Sequence, residues 1–202
     1  IWYRPFGPDH EFIDWLSRQS AAGMDIETTG LDIGSSSFEV RTIQVGAGNE
    51  AWVFPNVNGN IQCVLYHLNE WSRTVVTHNG VYDWVSLGAM FPDVTFKFGN
   101  SYDDEWSKAH FITVADTYIL ARHWDPRGRG DGPGATGHGM AALVDHWISP
   151  EDAEDLKLSV TKAAHALGLR KDEYFMQVAM DDETYVIYAG MDVIFTMALF
   201  EK

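Results

Sequence analysis

Residues 186–199 form an apolar run interrupted by a single charged side chain, Asp192. An ionised carboxylate taken out of water without a partner is costly. A fold that buries this run must therefore bring a cation, a donor or a polar cavity to Asp192. Residues 184–200 carry helical spacing, which puts Tyr188 one turn before Asp192 on the same face. Taken alone, a tyrosine there reads as part of the core. Asp192 and Gly190 also interrupt the longest apolar window, residues 185–200, which falls short of the ~20 apolar residues that span a bilayer. No membrane segment is expected.

The 202-residue chain suits one domain built on one core. Hydrophobic residues make up 46% and aromatics 13%, enough apolar surface to offset the entropy of folding and to argue against disorder. Cys63 is the only cysteine, which rules out an intrachain disulfide or a thiolate zinc cluster and fits a reducing compartment. The chain opens at Ile1 with no basic start and no apolar leader. It reads as one 1–202 domain cut from a longer polypeptide, and a cytoplasmic setting is expected.

A formal charge of −15 opposes a nucleic-acid partner, since such proteins usually carry a basic footprint. Bound divalent cations answer part of that objection, because clustered carboxylates hold them and they meet the phosphate in place of lysine and arginine. The acidic runs Asp103-Asp104-Glu105 and Asp181-Asp182-Glu183 are expected to be solvated surface.

Phe12, Ile13 and Leu16 mark an amphipathic opening helix, and residues 22–27 read as a short buried strand ending in acids. Residues 40–46 and 51–54 flank Gly48-Asn49 as a hairpin beside that strand. A helix at 61–71, a strand at 74–77, a helix at 81–90, a strand at 112–115 and a helix at 117–124 follow, the last stopped by Asp125-Pro126. Residues 127–139 are glycine-rich and read as a flexible loop. Gly132, Gly134 and Gly137 have G-x-G-x-x-G spacing, but no strand precedes them, and no G-K-S/T of a P-loop is present. Arg127 and Arg129 are either phosphate contacts or solvated loop side chains. Helices at 140–147, 150–167 and 184–200 complete an α/β class: a mixed sheet flanked by helices, with a helix-rich C-terminal half.

Asp25 and Glu27 stand at i and i+2 on the first predicted strand, so a period of two sends both to one face. Two carboxylates in one small volume repel, and each raises the other's pKa unless a cation intervenes. The bland alternative is an exposed polar strand end. Asp83 lies in the first turn of the 81–90 helix, where a carboxylate also suits the helix dipole. The histidines show neither H-E-x-x-H nor H-x-E spacing, no G-x-S-x-G is present, and most of them read as surface or loop residues.

Taken together, these residues follow a known pattern. Met24-Asp25-Ile26-Glu27-Thr28-Thr29-Gly30-Leu31 resembles the first motif of the DEDD 3′–5′ exonuclease superfamily, and His78-Asn79-Gly80-Val81-Tyr82-Asp83 resembles the second. Tyr188-Ala189-Gly190-Met191-Asp192 is similar to the third in its tyrosine form. Asp116-Thr117 and His138-Gly139-Met140-Ala141-Ala142-Leu143 resemble the D-T and H-x-L-x-x-L segments between the second and third, with methionine where leucine is commoner. The likeness is to the proofreading domains of family A DNA polymerases, those of bacteriophages and bacteria above all. The long glycine-rich insertion departs from it.

That resemblance implies a ribonuclease-H-like fold and two divalent cations, Mg2+ or Mn2+. Asp25, Glu27 and Asp192 would hold one, with Asp25 shared and Asp83 reaching the second. Tyr188 would orient the attacking water, while Thr28, Leu31 and Asn79 would contact the terminal nucleotide. The implied activity is stepwise hydrolysis of single-stranded or frayed DNA 3′ ends to 5′ mononucleotides, in proofreading beside a linked polymerase domain in a bacterial or phage-infected cell. A ribonuclease D-type RNA exonuclease and an inactive nuclease fold kept as a binding module remain as alternatives.

Overall fold

A computed structural model of the chain describes residues 1–94, 112–132 and 134–202, leaving undescribed the side chains of 152–158 and of Asp172. The acidic run 103–105 and His110 lie outside the described residues. One six-stranded sheet organises the rest, in the order β1-β4-β3-β2-β5-β6. Strands β2 (Ala21–Thr28), β3 (Val40–Ala47) and β4 (Glu50–Pro55) form an antiparallel meander, and β1 (Trp2–Tyr3) joins its outer edge parallel to β4. On the other side β5 (Thr74–Thr77) pairs parallel to β2, and β6 (Thr113–Asp116) parallel to β5.

Alternation along the central strand β2 separates core from chemistry. Ala22, Met24 and Ile26 join a core with helices α1 (His10–Ser17), α2 (Asn60–Trp71) and α3 (Val81–Met90). The intervening positions Gly23, Asp25 and Glu27 belong to the opposite face. That face is covered by α8 (Glu183–Phe200), which crosses β2, β3, β4 and β5. Tyr185, Ala189, Val193 and Met197, each one turn apart, are its buried stripe. Helices α4 (Thr117–Trp124), α5 (Met140–Trp147), α6 (Pro150–Ala166) and α7 (Lys171–Gln177) lie in the C-terminal half, with α5, α6 and α4 packed against α8 and α7 against α6 and β2.

Two glycines set how closely α8 approaches the sheet. Gly23 and Gly46 face each other in the β2–β3 register. A Cβ on Gly23 would stand 2.7 Å from the carbonyl oxygen of Val193, and one on Gly46 2.7 Å from Val193 Cγ2. Contacts that short do not occur without displacement, and backbone is the hardest group to displace. Glycine at both positions therefore seats Val193, and with it the adjacent Asp192, directly over β2.

The architecture agrees with the α/β expectation, and several details differ from it. By length and mean hydropathy α8 is apolar enough to cross a membrane, contrary to the window argument; in this fold it is the helix packed across the sheet. Asp182 is not simply solvated surface. It N-caps α8 through the Tyr185 amide at 3.0 Å and accepts the Tyr174 hydroxyl. His78 and His138 are partly buried and hydrogen-bonded, not free loop histidines: His78 Nδ1 lies 2.9 Å from Thr117 Oγ1, and His138 Nε2 lies 2.6 Å from the Asp125 carbonyl. Arg127 is engaged by Asp125 through Nε and Nη2, at 2.9 and 2.7 Å. Neither β1 nor α7 was legible from periodicity, because two and seven residues are too short to show one.

Candidate active site

The end of β2 and the middle of α8 bring three carboxylates together. One oxygen from each of Asp25, Glu27 and Asp192 lies within 4.8 Å of the others. Densely surrounded by protein, all three are pushed up from ordinary carboxylate pKa values, with desolvation the largest cause. For Asp25 the repulsion of Asp83, Glu27 and Asp192 adds to this. For Glu27, Asp192 adds to it while Lys171 and Arg41 oppose it. Asp192 is raised to about 7, against the opposing pull of the Tyr188 hydroxyl and Lys171.

Asp83 is delivered from the other side of the sheet, in the first turn of α3, and is buried at 5% exposure. Burial first and Asp116 second raise it to about 7. The turn that aims it is held by Asp116 at the end of β6, whose Oδ1 accepts the Asn79 amide at 3.0 Å and whose Oδ2 accepts the Gly80 amide at 2.9 Å. Asp116 Oδ1 also caps α4 through the Tyr118 amide. One carboxylate thus ties the β5–α3 turn to the start of α4. Asn79 adopts a left-handed φ of 59°, which asparagine tolerates better than most residues.

These four carboxyls are a hard oxygen donor set whose charges resist ionising together. A divalent cation such as Mg2+ fits that chemistry, since it relieves both desolvation and repulsion at once.

Tyr188 donates its hydroxyl to Asp192, and its pKa is pushed upward chiefly by that carboxylate and then by burial. It is therefore a neutral hydrogen-bond donor at physiological pH, not a base. Its ring packs on Phe175 with centroids 5.1 Å apart, and Lys171 Nζ lies 5.0 Å from its centroid. Both contacts come from α7, so sequence reasoning missed an entire wall of the site. Arg41 holds that wall in place: its guanidinium donates to the carbonyls of Phe175 and Val178 and lies over the Tyr185 ring. Beneath the carboxylates, Tyr185 OH meets Thr42 Oγ1 at 3.0 Å and Gln44 Nε2 donates to Thr42 Oγ1 at 2.7 Å. Thr42 and Gln44 are the cross-strand partners of Glu27 and Asp25, a placement visible only once the register is known.

Of the remaining predicted residues, Thr28 lies just past a register shift at the end of β2. Its hydroxyl donates to the Gly30 carbonyl at 2.8 Å and lies 2.9 Å from Tyr82 OH, so the first and second motifs are joined directly. Leu31 is 85% exposed beyond that turn, and Asn79 is also exposed. A cavity of about 420 Å³ between α4, α5 and the end of α8 is lined by none of the four carboxylates.

Residues 9–202 match the 3′–5′ exonuclease family of A-type DNA polymerases. The chain belongs to that family. It is 32% identical over 192 residues to a DNA polymerase of Mycobacterium phage D29, covering 92% of this chain and 29% of that protein. To a DNA polymerase of Mycobacterium phage L5 it is 34% identical over 178 residues, covering 86% and 27%. The exonuclease chain thus spans less than a third of the length of these relatives. In fold it is similar to Trypanosoma brucei RNase D in complex with GMP (TM-score 0.63, 13% identity, 98% of this chain and 56% of that one). It is likewise similar to Brucella melitensis NrnC with bound Mg2+ (0.57, 17%, 99% and 77%) and to the Aedes aegypti Nibbler exonuclease domain (0.61, 13%, 98% and 85%). The expected ribonuclease-H-like α/β fold is what this exonuclease has, and its family is one of hydrolytic enzymes that use divalent metals.

Proposed function

We propose that this exonuclease removes nucleotides one at a time from the 3′ end of single-stranded or frayed DNA, as the proofreading domain of a longer DNA polymerase. The observation that carries the reading is the convergence of Asp25, Glu27 and Asp192 beside Asp83, with Tyr188 hydrogen-bonded to Asp192. DNA is favoured as substrate because the relatives at 32–34% identity are DNA polymerases, whereas likeness to RNase D at 13% is a matter of fold.

In this reading Asp25, Glu27, Asp83 and Asp192 hold two divalent cations, Mg2+ or Mn2+. When bound, such cations make water more acidic and stabilise negative charge on a departing oxygen. Water attacks the terminal phosphorus, the bond from phosphorus to the 3′ oxygen breaks, and a 5′ mononucleotide leaves behind a new 3′-OH. Tyr188, held neutral with its one proton donated to Asp192, accepts a hydrogen bond from the attacking water and so orients it. Thr28, Leu31 and Asn79 line the terminal nucleotide, with exposed Leu31 offering its side chain to the last base. Such packing reads no sequence, because every base presents an apolar face.

The test is release of mononucleotides from 5′-labelled single-stranded DNA and RNA of the same sequence, with Mg2+, with chelator, and with the 3′ end blocked. Stepwise shortening of DNA that chelator and 3′ blocking both stop is the expected result. Undiminished release from the blocked strand would overturn the polarity, and preferential shortening of RNA would move the domain to the ribonuclease D type.

A further inference from the structure

Lys171 opens α7 at the rim of the carboxylate cluster, with an exposed side chain. Its Nζ lies 5.0 Å from the Tyr188 ring centroid and 5.8 Å from that of Phe175, so the ammonium sits over the ring whose hydroxyl binds Asp192. Its charge acts on both Glu27 and Asp192. Among the described residues Lys171 nevertheless makes no ion pair within 4.0 Å. An aromatic face steers a cation by its quadrupole and leaves the N–H donors open to a further acceptor.

The contrast with Arg41 sharpens this. Arg41 also acts on Glu27, but its guanidinium is committed to the Phe175 and Val178 carbonyls and to the Tyr185 ring. Those bonds fix the end of α7 against β3, and the Phe175–Tyr188 contact fixes its middle. The helix that carries Lys171 is anchored, while the lysine at its start points its charge to the site. In a chain of net charge −15, a cation placed there answers a need that the carboxylates create, since an incoming phosphate must approach them.

We propose that Lys171 is a substrate-contacting residue of the exonuclease, its ammonium donating to a non-bridging oxygen of the phosphate under attack while the Tyr188 ring holds it in place. This rests on the exonuclease reading and adds a fifth charged group to it, of opposite sign to the other four. Lysine suits the task as a compact point charge with three donors and no demand for a planar partner.

The experiment compares wild type with Lys171→Ala, Lys171→Gln and Lys171→Arg. Calorimetry with Mn2+-loaded protein measures binding of dTMP and of thymidine, which differ only in the phosphate. Mn2+ titration alone measures the metal site, and a separate assay measures single-turnover release from a DNA 3′ end. Lys171→Ala and Lys171→Gln should weaken dTMP and slow release by about 10- to 100-fold, the range of a charge-assisted hydrogen bond, and leave thymidine unchanged. Lys171→Arg should recover most of both. Mn2+ affinity should stay level or rise, since a positive charge beside the ligands is gone. Unchanged dTMP binding in Lys171→Ala, whatever happens to Mn2+, would overturn the proposal and leave the lysine as a neutraliser of the carboxylates. Weakened Mn2+ binding would overturn it too, as the sign of a displaced helix. Absence of DNA cleavage by the wild type counts against the exonuclease reading alone, because the dTMP-to-thymidine comparison needs no turnover.

Discussion

Replacing Asp83 by asparagine should stabilise the metal-free protein, and only above a definite pH. Asp83 is 5% exposed and its carboxyl is raised to about 7, from an unperturbed value of 3.8. A folded-state pKa above the unfolded one means that the folded state prefers the protonated acid. The resulting stability is fully present below the unfolded pKa and is lost as pH rises through the folded pKa. The window therefore runs from about pH 4 to just above pH 7. The shift of about three units corresponds to roughly 4 kcal/mol as a ceiling, at ~1.4 kcal/mol per unit. Asparagine keeps the shape and removes the titration, and it also relieves Asp25 of its strongest repelling neighbour. In chelator, Asp83→Asn should match the wild type near pH 4 and exceed it by a few kcal/mol at pH 8. For a chain of this size that is a melting difference of about 10 °C. Thermal melts from pH 4.5 to 8.5 give the profile, and repeating them with Mg2+ should narrow the gap as the wild type regains stability. An asparagine variant less stable than wild type at pH 8 in chelator would refute the reasoning, and would mean that Asp83 forms favourable structural contacts as an anion.

Asp25→Ala or Asp192→Ala should lower single-turnover release by roughly a thousandfold, the several kcal/mol that a bound cation supplies, with the chelated protein melting level with wild type or higher. Clear destabilisation of the chelated protein by both would make these acids structural. Tyr188→Phe should cost about 10- to 100-fold in rate, a lost hydrogen bond in the transition state, with Mn2+ affinity intact by titration. Gly23→Ala should destabilise by about 1–3 kcal/mol in urea unfolding and lower activity as well, because its Cβ pushes on the carbonyl of Val193, the residue next to Asp192 on α8. Full activity in a folded Gly23→Ala would show that the helix approach is looser than it looks. Mismatched primer ends should be cut faster than matched ones, since unpairing a correct terminus costs a few kcal/mol. Binding should weaken only gently with salt, and a steep salt slope on fully paired duplex would point to a basic footprint instead.

Periodicity singled out Asp25, Glu27 and Asp192 and the order of every element but β1 and α7, while Asp83 took its role from the motif resemblance. Asp25 and Glu27 share a face because a strand has a period of two, and Asp192 stands out because a lone carboxylate interrupts an apolar helix. Both are local properties of the chain, readable without knowing what packs against what. Their convergence is not local. It depends on Gly23 and Gly46 meeting across the β2–β3 register, so that Val193 reaches the sheet. It depends equally on Asp116, 33 residues beyond Asp83, holding the turn that aims it. The α7 wall was invisible for the same reason. Seven residues show no helical period, and nothing in Lys171-Asp172-Glu173-Tyr174 announces that its first side chain will lie over Tyr188. A sequence determines which groups can do chemistry. The separation between them is decided by tertiary packing, where two missing methyl groups and one capped turn bring distant carboxylates within ångströms of each other.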